Sequence, residues 1–220
     1  MRDAQAPITF YRKDYTAPNY KISQTDLTFT LNPSRTKVAS RLQFQSWDES
    51  TPDNVPLELD GEDLELEMVL LNGEKLDPEH YTQSPTGLSI HNPGRAGVLE
   101  ITVHIQPDQN TRLEGLYVSN GNFFTQCEAQ GFRRITYFPD RPDVLSQFTV
   151  TLIANEATHP VSLSNGNLLE EKQLGEGLHM TRWEDPFLKP AYLFALVAGR
   201  FVCQEETVQK GDGKPALLQV

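Results

Sequence analysis

Short runs of apolar and β-branched residues, interrupted by proline, glycine and asparagine, constrain the fold of this 220-residue chain more than any other feature. Runs of this kind, bounded by turn residues, are typical of strands in all-β domains. No amphipathic helix of twelve or more residues stands out, and only residues 131–146 favour short helical turns. The sequence therefore predicts an all-β, antiparallel β-sandwich. We predict strands at residues 22–31, 37–47, 55–59, 64–71, 87–91, 99–106, 148–154 and 178–183.

Charge and hydropathy exclude two classes of partner. The chain carries 19 Lys and Arg against 30 Asp and Glu, a formal net charge of −11, whereas a nucleic-acid binder needs a basic surface for the phosphates. Neither the start of the chain nor its most apolar run, residues 191–199, has the character of a signal peptide or a membrane span. We therefore expect no nucleic-acid partner, no membrane partner and a cytoplasmic location. The two cysteines, Cys127 and Cys203, are interpreted as reduced thiols.

Catalytic motifs are missing from the sequence. None of the five histidines belongs to an H-E-x-x-H zinc helix, and there is no G-x-S-x-G nucleophile elbow and no phosphate-binding P-loop. Cys127 has no histidine near it in the sequence that could activate it. We predict no catalytic residue, no metal ligand and no cofactor in this chain.

Residues 42–74 contain ten acids and no Lys or Arg. Several of the acids alternate with leucine, and this period of two places leucines and carboxylates on opposite faces of a strand. The favoured interpretation is a solvated sheet face that protects strand edges from aggregation. The alternative is a docking face for a cation or a basic partner.

The segment around Gln126 and Glu128 is the strongest candidate for a binding site. If residues 125–130 are extended, Gln126, Glu128 and Gln130 share one face and present a carboxylate beside an amide oxygen. Such a pair suits an alkylammonium group, because the carboxylate accepts a charge-assisted hydrogen bond and the amide accepts another. From the residues alone, an ordinary solvated carboxylate remains the favoured alternative.

A longer pattern of motifs carries a resemblance to a known family. Gln-Cys-Glu-Ala at residues 126–129 is followed by Gly-Phe-Arg at 131–133, Asp-Arg-Pro-Asp-Val at 140–144 and Phe-Ala-Leu-Val-Ala-Gly at 194–199. This pattern resembles the amino-terminal domain of bacterial aminopeptidases N, which are zinc-dependent alanyl aminopeptidases of the gluzincin class. The likeness extends along essentially the whole chain, including Tyr-Arg-Lys-Asp-Tyr at 11–15.

The resemblance implies a saddle-like β-sandwich that packs on a thermolysin-like catalytic domain in the same polypeptide. Zinc belongs to that parent protein and not to this chain. Gln126 and Glu128 match the family residues that bind the free α-amino group of peptide substrates, whereas Gln130 stands where close bacterial relatives tend to carry Glu. The implied activity is release of amino-terminal residues from peptides, with this domain inactive alone.

Several further expectations follow. Residues 1–200 form the sandwich, and residues 201–220 form a hairpin that begins the catalytic domain and is truncated. Asp140 to Asp143 open a short helix, and the arginines at 133, 134 and 141 have structural roles in preference to binding a substrate carboxylate. Two rival functions stay open: a non-catalytic β-sandwich module that binds peptide or sugar, and a structural adaptor that docks by its acidic face.

Overall fold

A computed structural model describes residues 11–52 and 54–220, so the expectation of no signal peptide before Tyr11 lies outside the described residues. The first strands are β1 (Tyr20–Thr30), β2 (Thr36–Ser46), β3 (Leu57–Asp60), β4 (Glu65–Leu71), β5 (Glu74–Lys75), β6 (Tyr81–Ser84), β7 (Gly87–Ile90), β8 (Ala96–Ile105) and β9 (Gly115–Ser119). The remaining strands are β10 (Asn122–Gln126), β11 (Leu145–Asn155), β12 (Val161–Ser164), β13 (Asn167–Gly175), β14 (Leu178–Pro190), β15 (Leu196–Gly199), β16 (Glu205–Gln209) and β17 (Pro215–Gln219).

Helix is a minor component, as predicted, but the expectation that helical turns are confined to residues 131–146 was wrong. Within the described ranges it is confined to three-residue 3₁₀ turns at Arg12–Asp14, Pro78–His80, Pro107–Gln109, Phe132–Arg134 and Ala191–Leu193. None of these is long and apolar enough to cross a membrane.

The strands form a large sheet, a small sheet and two accessory sheets. The large sheet has eight strands in the order β13-β14-β11-β1-β2-β8-β4-β5, and the small sheet has four in the order β12-β15-β10-β9. The accessory sheets are β3-β7-β6 and the hairpin β16-β17. All pairs are antiparallel except β1 with β11, which is parallel, so the predicted antiparallel architecture holds with one mixed position.

The two main sheets pack face to face around an aromatic core. Phe132 is fully buried, and its ring centroid lies 5.1 Å from that of Phe138, 5.9 Å from that of Phe148 and 5.3 Å from that of Phe194. Edge-to-face contacts of this kind stabilise a core beyond the burial of apolar area alone. Phe132 begins the 3₁₀ turn that follows Glu128, so the core holds the segment that contains the candidate site.

Every strand predicted from the sequence is present in the structure, but several observed strands were not predicted. The hairpin β9–β10 was missed, although its turn residues Asn120 and Gly121 have φ values of 49° and 76° and form a two-residue loop between paired Ser119 and Asn122. This dipeptide between apolar runs is a strong hairpin signal. Strand β13 was missed because all of its residues are exposed, so it lacks the alternation of a half-buried strand.

The prediction of a helix at Asp140 was wrong. Residues 141–144 form a turn in which Val144 N–H donates to the carbonyl of Arg141 at 3.2 Å. The side chain of Arg141 donates to both Asp143 oxygens, at 2.9 Å and 2.7 Å, and also to the carbonyl of Thr16. Asp143 is therefore held by Arg141 and by the Tyr15 hydroxyl, which donates to Asp143 Oδ2 at 2.9 Å.

The acidic stretch forms strand faces as predicted. In β3 the leucines Leu57 and Leu59 are buried while Glu58 is exposed. In β4 the exposed acids are paired: Glu65 accepts a bidentate ion pair from Arg35, and Glu67 contacts Lys37 and His104. Exposed pairs of this kind contribute little stability, which agrees with a solvated face.

Candidate functional site

The candidate anchor lies at the end of β10 and in the turn that follows it. Gln126 is the last residue of the strand and is paired with Gly115. Residues 128–131 form a turn that is closed by the Gly131 N–H donating to the carbonyl of Cys127 at 2.8 Å. The extended conformation considered for residues 125–130 therefore ends at Gln126.

The turn nevertheless brings Gln126 and Glu128 together. The Gln126 side-chain amide donates to the backbone carbonyl of Glu128 at 3.2 Å, which leaves the amide oxygen as a free acceptor. The peptide bond between Glu128 and Ala129 is cis. Both Gln126 and Glu128 are exposed, and no side chain in residues 11–52 and 54–220 forms an ion pair or hydrogen bond with the Glu128 carboxylate. The Glu128 carboxylate and the Gln126 amide oxygen, two residues apart, are both free to accept N–H groups of an ammonium ion.

Gly131 makes this tight turn possible, and sequence reasoning did not single it out as a site residue. A Cβ atom at this position would lie 2.3 Å from the carbonyl oxygen of Gln126 and 2.9 Å from the backbone N of Gly115. Both contacts are to backbone atoms that cannot rotate away, so any side chain here would displace the turn from β9 and β10. The Gly-Phe-Arg sequence that follows the Gln-x-Glu motif was the feature from which a tight turn at Gly131 could have been predicted.

Arg133 and Arg134, which follow the turn, both form ion pairs with acidic side chains. The Arg133 side chain donates to Asp140 Oδ2 at 3.1 Å and lies 3.4 Å from Asp60. Arg134 is buried and pairs with three acids. The partners of Arg134 are Glu62, Asp63 and Glu114. These pairings support the structural role predicted for the arginines over contact with a substrate carboxylate.

Burial changes the proton affinity of two groups in this network. Burial raises the pKa of Asp140, whereas hydrogen bonds from Arg133 act in the opposite direction. Burial also raises the pKa of the Cys127 thiol far above its usual range, and the nearby charge of Asp140 adds to the effect. Cys127 is therefore a neutral core side chain and not a nucleophile.

We expect the two cysteines to react very differently with a thiol reagent. Cys203 is exposed and Cys127 is buried, so brief treatment of the native chain with iodoacetamide should modify Cys203 alone. Denatured chain should be modified at both positions, because the pKa of Cys127 then returns to its ordinary value. Peptide mass spectrometry after each treatment measures the outcome, and fast labelling of Cys127 in the native chain would contradict the buried position.

A cleft of about 850 Å³ opens beside the turn. Its lining includes Gln130 and Arg133 from this segment and Glu58 and Asp60 from β3, whereas Gln126 and Glu128 lie outside its lining. The structure therefore separates Gln130 from the pair with which it was predicted to share a face. Across the described part of the chain, no group of three or more His, Cys, Asp or Glu side chains could hold a metal ion.

Comparison with known proteins gives consistent matches. The family model described as Peptidase M1 N-terminal domain matches residues 17–193. Aminopeptidase N of Escherichia coli (strain K12) is 43% identical over 216 residues, covering 98% of this chain and 24% of the relative. Aminopeptidase N of Caulobacter vibrioides is 45% identical over 207 residues, covering 94% and 24% respectively. The chain thus spans about a quarter of the length of these relatives.

Solved structures show the same architecture. A Legionella pneumophila aminopeptidase A, crystallised in complex with aspartic acid, superposes with a TM-score of 0.87 at 34% identity, covering 94% of this chain and 24% of that chain. A Deinococcus radiodurans M1 zinc metallopeptidase bound to a Tyr-Ser-Ala substrate superposes with a TM-score of 0.74 at 16% identity, covering 91% and 47%. The second match supports the fold alone.

Proposed function

The chain belongs to the peptidase M1 N-terminal domain family, and from this premise we propose that its parent protein is a zinc metalloaminopeptidase in which Gln126 and Glu128 anchor the free α-amino group of the peptide substrate. The observation that carries the proposal is the exposed Glu128 carboxylate, which has no partner among the described residues, in a residue whose backbone carbonyl accepts a hydrogen bond from the Gln126 amide. A carboxylate in this state is available to a cationic ligand.

The role of the anchor is positional. A charge-assisted hydrogen bond to Glu128 and a second to the Gln126 amide oxygen set the distance from the amino terminus to the scissile carbonyl. A peptide with a blocked amino terminus loses these contacts, which restricts the enzyme to removal of terminal residues. The turn that carries Glu128 is supported by the buried Phe132 and by Gly131, so the anchor rests on a rigid base.

Zinc would supply the chemistry in the parent enzyme by polarising the scissile carbonyl and activating water. The described residues do not offer a ligand set for it. We therefore propose that the zinc ligands lie in the three quarters of the parent that are outside this chain, and that the chain alone hydrolyses no aminoacyl reporter. The names of the relatives support peptide substrates, and their greater length supports a catalytic domain in the same polypeptide. A role in peptide catabolism belongs to the same proposal. The proposal retains the cytoplasmic location, for which the two free thiols are the support.

The comparisons favour this function over the two rivals drawn from the sequence. A non-catalytic module that binds peptide or sugar would share the sandwich, but the relatives that match nearly all of this chain are named as aminopeptidases. An adaptor that docks by its acidic face has less support, because the acids of β4 are already paired within the chain.

Replacement of Gln126 by Ala in the parent enzyme tests the weaker half of the anchor. We expect kcat/KM for an alanyl reporter to fall about fivefold, equivalent to about 1 kcal/mol, because one neutral acceptor is lost. Gln109→Ala is a matched control, since this exposed glutamine lies in another turn and has no side-chain partner among the described residues. Steady-state kinetics of both variants measure this loss. Equal kcat/KM for Gln126→Ala and wild type would remove Gln126 from the anchor.

A further inference from the structure

Strand β13 is an open edge of the large sheet. It lies at the end of the strand order and pairs with β14 alone, and all nine of its residues are exposed. On the side away from β14, its backbone N–H and C=O groups have no backbone partner among the described residues. A long open edge is a template for pairing with a further strand, and its side chains decide which strand fits.

The centre of β13 is regular. Bulges interrupt its pairing with β14 between Leu168 and Glu170 and between Gln173 and Gly175, whereas residues 170–173 are paired one to one. Glu170 and Lys172 are two positions apart in this regular part, so their side chains share one face of the sheet. Lys172 Nζ lies 3.0 Å from a Glu170 carboxylate oxygen. The open edge therefore presents an acid and a base side by side.

This order of charges makes β13 complementary to a second copy of itself. If a two-fold axis at Glu171 relates two antiparallel strands, Glu170 of each copy lies opposite Lys172 of the other. Two ion pairs then form directly across the contact, and cross-strand pairs of opposite charge stabilise a sheet. A lysine in an edge strand ordinarily opposes pairing, but in this register Lys172 meets an acid.

Apolar side chains flank the charged centre. Leu168 and Leu169 precede it and Leu174 follows it, with exposed fractions of 47%, 51% and 44%. Leu168 aligns with Leu174 of the second copy, because the two lie at equal distances from Glu171. Pairing therefore covers apolar surface in addition to satisfying backbone groups. The two Glu171 carboxylates lie opposite each other at the axis, and this contact between like charges weakens the pairing.

We propose that β13 is a dimerisation edge, at which two copies of this protein join their large sheets by antiparallel pairing of β13 with β13. The interface is isologous, since the same strand supplies both halves of each ion pair. The proposal goes beyond the proposed function and does not depend on the amine anchor. The alternative occupant is another segment of the parent polypeptide, and it predicts a monomer.

Charge reversal at the paired positions tests the contact in the full-length parent protein. We expect the wild type to form a reversible dimer at about 100 µM, because an interface of one strand pair is small. Lys172→Glu and Glu170→Lys each place like charges opposite each other, and each should raise the dimer Kd about tenfold. Analytical ultracentrifugation over a range of protein concentrations measures the Kd.

An equimolar mixture of these two variants separates the contact between copies from effects within one chain. Each variant alone also loses its intrachain pair between Lys172 and Glu170. In the mixed dimer, however, every acid at position 170 or 172 lies opposite a lysine. The mixture should therefore dimerise with a Kd within about threefold of the wild-type value.

Two further variants complete the test. Glu171→Gln removes the like-charge contact at the axis and should lower the dimer Kd about threefold. Lys75→Glu is the matched control, because Lys75 is an exposed lysine of β5 at the opposite edge of the same sheet. This control should leave the Kd at the wild-type value.

Three results would overturn the proposal. A wild-type protein that stays monomeric would show that the edge is covered or blocked. A dimer that persists unchanged in both charge-reversal variants would lie at another surface. A mixture no more dimeric than its two components would exclude the predicted register. If a charge reversal unfolds the chain, the wild type and Glu171→Gln decide the question, because both retain the two ion pairs.

Discussion

Replacement of Glu128 by Ala in the parent enzyme is expected to lower kcat/KM for an alanyl substrate by roughly 30- to 900-fold, equivalent to about 2–4 kcal/mol. The substrate ammonium would then lose a charge-assisted hydrogen bond. The distance from the amino terminus to the scissile bond would no longer be fixed by this contact. Melting temperature should not fall, because Glu128 is exposed and its carboxylate supports no other described side chain.

Steady-state kinetics and melting curves on the same preparations measure this effect. Glu79→Ala is the matched control, since this exposed glutamate lies in another turn and its carboxylate has no partner among the described residues. Glu128→Gln separates charge from shape: it keeps an acceptor oxygen and should show a smaller loss than Glu128→Ala. Wild-type kcat/KM in Glu128→Ala would leave this domain as a scaffold and would require the anchor assignment to be withdrawn.

Replacement of Phe132 by Ala is expected to lower the free energy of unfolding of the 220-residue chain by about 3–5 kcal/mol. The Phe132 ring is fully buried and contacts the rings of Phe138, Phe148 and Phe194. Its removal leaves a cavity where β11 and the segment before β15 meet the turn. Cores relax only partly around such a cavity, so the loss exceeds the transfer free energy of the side chain.

Chemical denaturation followed by fluorescence measures the loss. Phe187→Ala serves as the control, because Phe187 is 76% exposed and its removal should change the free energy of unfolding by less than about 0.5 kcal/mol. A comparable loss in the two variants would contradict the central position of Phe132. In the parent enzyme, Phe132→Ala should also raise KM, since the turn that holds Glu128 loses its support.

Local patterns were sufficient for much of the fold. Alternation of apolar and polar residues marks a strand and its buried face, and this is why β1, β2 and β3 were found within a few residues of their observed bounds. The predicted hairpin at residues 201–220 also exists as β16 and β17, in antiparallel register. Where both faces of a strand are exposed, as in β13, no such signal exists.

The geometry of the candidate site was predicted only in part. The resemblance identified Gln126 and Glu128, and the structure places them together. The extended backbone considered for residues 125–130 ends at Gln126, because the Gly131 N–H donates to the carbonyl of Cys127 and closes a turn. A short-range pattern identifies residue types that suit an ammonium ion, but a backbone hydrogen bond between residues four apart decides where their side chains point.

The sequence by itself determined that this chain is an all-β protein, that the leucines and carboxylates of the acidic stretch lie on opposite strand faces, and which two residues are candidates for an amine anchor. Only the tertiary structure decided that Arg133 pairs with Asp60, that β1 pairs in parallel with β11, and that Phe124 and Leu163 are both paired with Val197 in the small sheet. The physical reason is that alternation is a local property of a strand, since it follows from the direction of successive side chains. The partner of a strand is set by contacts between residues far apart in the chain, and these depend on how all the buried faces are covered together.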